Sequence, residues 1–77
     1  MTINELAEKL ANMYETAPTG DSVAMIHLFG IRYSNEIKDL GVSSKALAKA
    51  AKLNDSYGTE ISKGVKLAKY VTPKSRT

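Results

Sequence analysis

The side chains of this 77-residue chain that could carry chemistry form a short inventory: His27, the carboxylates Asp55 and Glu60 in the C-terminal half, and a series of lysines. There is no cysteine, so a thiol nucleophile and a disulfide are excluded, and a zinc site of the usual kind would have one histidine nitrogen at most. A nucleophile needs an adjacent base and an orienting group. His27 lies in the most apolar stretch of the chain, residues 23–29, where a histidine is expected to be structural, donating to a backbone carbonyl or closing the edge of a core. Asp55 and Glu60, taken as a general acid and base, lack a metal or a phosphate cradle, so capping and pairing within the chain account for them better. Gly58 and Gly64 stand alone within a helical pattern rather than in a phosphate-binding loop. The residues predict a non-enzymatic protein with no cofactor, no metal and no small-molecule substrate.

The lysines are more informative. Lys45, Lys49 and Lys52 recur at i, i+4 and i+7, the spacing of one helical stripe. Further on, Thr59, Lys63, Lys66 and Tyr70 share a second face, with Lys69 beside them. Between the two stripes lie the short polar residues Asn54 and Ser56 at the start of the next helix, where backbone amides can hold a phosphate. The charge is segregated. Residues 1–42 carry three basic and six acidic side chains, a net −3; residues 43–77 carry eight basic and two acidic, a net +6. Such asymmetry speaks about partners rather than fold. The candidate binding set is Lys45, Lys49, Lys52, Asn54, Ser56, Thr59, Lys63, Lys66 and Lys69, with nucleic-acid phosphates as the ligand. Five phosphate contacts would give a salt slope of about −4 to −5. In this half no arginine precedes Arg76, and arginine is the chief reader of guanine, so contacts are expected to be phosphate-dominated.

The elements that must position these residues are helical. Thr2-Ile3-Asn4-Glu5 reads as a capping box, and Leu6, Ala7, Leu10, Met13 and Tyr14 follow at helical spacing up to the stop at Pro18. Asp21 or Ser22 starts a second helix, apolar almost all round, that continues through Tyr33, Ile37 and Leu40. It is either one helix or two pieces hinged near Gly30, a glycine that marks a bend or a close backbone approach. Gly41 is a good helix terminator. Ser43 caps a third helix with Leu47, Ala50 and Ala51 inward. After a turn of three or four residues around Asn54-Asp55-Ser56, a last helix spans about 56–71 with Tyr57, Ile61, Gly64, Val65, Ala68 and Val71 inward. The expected fold is an all-α bundle of four or five helices. Residues 1–72 would form one domain, and residues 73–77 a basic, frayed tail. No apolar run approaches the ~20 residues of a membrane span, and the start of the chain does not read as a signal peptide, so a cytoplasmic protein is expected.

Two long segments, residues 23–33 and residues 56–71, resemble a family of small bacterial helix-turn-helix-like proteins, and the similarity extends from about Leu6 to Val71. Similar modules head some restriction enzymes that act on modified DNA. The resemblance implies an all-α fold and DNA binding. The general helix-turn-helix pattern asks for a small residue, a glycine four on, and a branched apolar residue six further. Ala48 fits the first position and Ile61 the last apolar one, but Lys52 stands in place of the glycine and Gly58 where an apolar residue is expected, so the turn must be built differently, with Tyr57 as the packing residue. A second reading is a protein-interaction module, either a homodimer or an adaptor. Met25, Leu28, Phe29, Tyr33 and Ile37 are more apolar surface than so small a domain is expected to bury, and segment 23–40 would supply the interface.

Overall fold

A computed structural model describes residues 1–73. Five α-helices make up the fold: α1 (Ile3–Glu15), α2 (Ser22–Arg32), α3 (Ser34–Leu40), α4 (Ser44–Ala50) and α5 (Tyr57–Leu67). The expected all-α bundle is therefore a five-helix one. The expected basic tail, from residue 74 on, lies outside the described residues. Among those described, no helix is long and apolar enough to cross a membrane.

The N-terminal capping box forms as the sequence requires. The Glu5 amide donates to Thr2 Oγ1 at 3.1 Å and the Thr2 amide donates to Glu5 Oε1 at 2.8 Å. Both orphan donors of the first turn are thus satisfied, and the acceptor role holds the Glu5 carboxyl below the usual carboxylate range. The expected hinge at Gly30 is not where the second helix breaks. It breaks at Tyr33, which leaves helical geometry for a single residue at φ −109°, ψ 21°. The Tyr33 amide donates to the Phe29 carbonyl, and the Tyr33 carbonyl accepts from the Ile37 amide, so both backbone groups of Tyr33 are paired. Gly41 ends α3 in the left-handed region, φ 67°.

Gly30 serves the other expected purpose. It lies inside α2, and a Cβ added there would come within 2.6 Å of the Ile61 carbonyl oxygen and 2.9 Å of the Gly64 Cα. Gly64 on α5 is its counterpart, with Gly30 Cα 3.0 Å from where its own Cβ would be and the His27 carbonyl oxygen closer still. Two glycines let the helix backbones touch. This makes the α2–α5 contact the most extensive in the fold, and α5 packs next on α4. The core around it is closed by Leu6, Leu10, Ile26, Phe29, Leu47 and Ile61, all fully buried. The Phe29 and Tyr33 rings pack tilted at 5.2 Å. On the other side Tyr14 meets Tyr57, rings 5.5 Å apart and hydroxyls 3.3 Å apart, so Tyr57 is indeed a packing residue.

Two inward assignments need correction. Ala50 is exposed and Ala48 is buried in its place, because a stripe starting at Leu47 continues at Ala48 and Ala51 on so short a helix. Val71 is also exposed, since α5 stops at Leu67 and gives way to turns. The apolar segment 23–40 is divided between core and surface. Phe29 and Ile37 are buried and Met25, Leu28 and Tyr33 half-buried, leaving Val23 and Leu40 exposed. The larger exposed apolar group is Leu67, Tyr70 and Val71, beyond the last full turn of α5.

Candidate functional site

The connection between α4 and α5 carries the site. It runs over residues 51–56, six residues rather than the expected three or four. It opens with a Schellman termination: the Lys52 amide donates to the Lys49 carbonyl and the Leu53 amide to the Ala48 carbonyl, the paired bonds that close a helix around one left-handed residue. That residue is Lys52, at φ 62° the one non-glycine with positive φ among the described residues. The glycine of the general pattern has been replaced, yet the backbone conformation it serves is kept. Leu53 then folds back against the core.

At the far end of the connection the amide donors are already engaged. Ser56 donates to Asn54 Oδ1 at 3.0 Å. Tyr57, Gly58 and Thr59 donate to the carbonyls of Asn54, Asp55 and Ser56. The Asn54 side chain is thereby committed to the turn, and the first amides of α5 are not open to a phosphate. Gly58 allows the next step: an added Cβ would lie 3.0 Å from both the Cα and the amide nitrogen of Lys45. The start of α5 therefore lies directly on the start of α4, and Ser62 Oγ donates to Ser44 Oγ across the same seam at 2.9 Å. An apolar side chain at position 58 would force this seam open, which accounts for the second departure from the pattern.

Helix α4 is capped by Ser43, whose Oγ accepts from the Ala46 amide at 3.0 Å, and its outer face carries Lys45 and Lys49. Both reach toward the turn, where Asp55 Oδ2 lies 3.9 Å from Lys45 Nζ and 4.0 Å from Lys49 Nζ. On α5 the exposed stripe is Thr59, Lys63 and Lys66, continued by Lys69 and the largely exposed Tyr70. Lys63 Nζ lies 3.4 Å from Glu60 Oε2. Of the six lysines, three thus have a carboxylate within ion-pair distance. Lys52, Lys66 and Lys69 have none among the described residues. Exposed pairs of this kind contribute at most ~1 kcal/mol each and are easily exchanged for another anion.

No local pattern marks the partnership between His27 and Glu60. The His27 Nε2–H donates to Glu60 Oε1 at 2.6 Å, tying α2 to α5. This hydrogen bond, ahead of the nearby Lys63 charge, holds the Glu60 carboxyl below its usual value. The expectation that His27 is structural and Glu60 pairs within the chain fits this geometry, although the acceptor is a carboxylate and not a backbone carbonyl. The signal that could have exposed it is indirect: His27 stands three residues before Gly30, and Glu60 four before Gly64, the glycines at which their helices touch.

A family model described as an HTH-like domain matches residues 2–74. No curated protein matches the chain, and no solved structure matches it either.

Proposed function

The chain belongs to the HTH-like domain family, and from that membership and its lysine-bearing outer face we propose that it is a non-enzymatic DNA-binding or DNA-associated domain. The observation that carries this reading is the placement of Lys45, Lys49, Lys63 and Lys66 on the outer faces of two helices whose first turns are pressed together at Gly58 and Ser62. Lys52 and Lys69 extend the cationic surface at the ends of these helices.

The contacts are phosphate-dominated. Lysine ammoniums act as point charges rather than bidentate readers, and the amides at the start of α5 are satisfied internally. Asn54 and Ser56 act by fixing the turn, while Thr59 faces solvent at the head of the α5 stripe. Sequence preference, where present, comes from duplex shape. Asp55 serves as an internal competitor: phosphates replace it at Lys45 and Lys49.

The test is a mobility-shift titration of the full chain on duplex DNA at low salt. Retention at tens of micromolar is expected, lost when Lys49, Lys63 and Lys66 are changed together to glutamate. Absence of binding by the unsubstituted protein under these conditions would sink the reading.

A further inference from the structure

Beside the lysine face lies a cleft of about 410 Å³ between the end of α3, the α3–α4 corner and α5. We propose that this cleft binds a small amphipathic anion, a carboxylate on a branched-aliphatic or aromatic body of roughly ten non-hydrogen atoms. The floor is apolar, formed by buried Ile37 with half-buried Val42 and Val65. Gly41 stands on its wall, and a Cβ there would meet nothing within 4 Å, so the corner leaves the space open.

The polar groups around that floor are of one kind. Lys38 comes from α3 and Lys66 from α5, and neither has a carboxylate within 4 Å among the described residues. Ser62 donates its proton to Ser44 Oγ, which leaves the Ser44 hydroxyl proton to point elsewhere. Ser43 Oγ accepts from a backbone amide, and its proton is likewise unassigned. No carboxylate lines the cleft. Two ammonium groups and two hydroxyl donors over an apolar floor complement a ligand with an anionic head and an apolar body. A cation finds no acceptor charge there, and inorganic phosphate leaves the floor uncovered. No histidine or carboxylate lines the cleft to activate its serines, so the occupant is proposed as a ligand and not a substrate.

The experiment is a titration of the full ¹⁵N-labelled chain, followed by amide chemical shifts at constant ionic strength, with 3-phenylpropionate and with 4-methylpentanoate. Controls are the neutral 3-phenylpropanamide and inorganic phosphate. Saturable shifts are expected at residues 41–44 and 62–66, with a dissociation constant on the order of a millimolar. The amide should bind at least about five-fold more weakly, and a Lys38→Met, Lys66→Met double variant, altered at two surface positions, should lose the same factor for the carboxylates. The proposal is overturned by no saturation at about 20 mM carboxylate, by equal binding of the amide, or by phosphate producing the same shifts. No DNA is present, so the outcome is independent of the DNA-binding reading.

Discussion

Gly30 and Gly64 meet backbone to backbone where α2 crosses α5, so closely that a Cβ on either would fall within about 3 Å of the other's Cα. Gly64→Ala should therefore destabilise the domain even though alanine is the better helix former by about 1 kcal/mol. Overpacking against a rigid backbone costs about 1–3 kcal/mol, and each kcal/mol lowers the thermal midpoint of a domain this size by roughly 4–8 °C. Thermal unfolding followed at 222 nm should give a drop of that order. An unchanged midpoint would mean the helices do not touch there.

Lys52 holds a left-handed backbone at φ 62°, a conformation that costs a non-glycine residue about 1 kcal/mol. Lys52→Gly should raise stability by up to that amount in urea denaturation, less what glycine adds to the disorder of the unfolded chain. A loss of 1 kcal/mol or more would show that the lysine side chain contributes to the fold.

These two positions also mark how far the sequence could be read. The capping box at Thr2 and Glu5, the termination at Gly41, the Ser43 cap and the close approach at Gly30 are local or single-residue signals, and each is where the pattern placed it. The break at Tyr33 carries no proline, no glycine and no capping side chain, so nothing local announces it. The left-handed Lys52 reads as an absence of glycine, and only the bonds to Lys49 and Ala48 show that the conformation survives without it. The His27–Glu60 pair joins two helices distant in the chain, and a single sequence carries no information on such a contact. The expected stripe of Lys45, Lys49 and Lys52 is cut short, because α4 ends at Ala50 and Lys52 lies past it in the left-handed region; the presence of Asp55 beside Lys45 and Lys49 depended on the path of the turn.

Asp55→Asn should strengthen DNA retention. Removing the carboxylate frees Lys45 and Lys49 from an exposed partner worth at most ~1 kcal/mol, which corresponds to about two- to five-fold in affinity. The slope of log affinity against log salt should lie between about −3 and −5 for three to six phosphate contacts. A variant that binds no better, or a slope near zero, would count against lysine–phosphate contacts.

Acid should weaken the fold through Glu60. Its carboxyl is held low in the folded state by the hydrogen bond from His27. A depressed native pKa contributes stability that is present above the unfolded value, near 4.5, and is lost as pH falls through the native one. Glu60→Gln should flatten the decline in thermal midpoint below about pH 4.5, relative to the parent. An identical decline in both proteins would assign the acid sensitivity to other carboxylates, such as Glu5.

The helix that meets α2 at Gly30 and Gly64 is also the last of the described helices to leave the ribosome. Until α5 is available, α2 has nothing to cover the face bearing Gly30, and an eleven-residue helix has little stability by itself. A nascent chain that ends in the α4–α5 turn therefore leaves its most apolar segment without that cover. Without α5 the Gly30 face of α2 loses its most extensive packing partner.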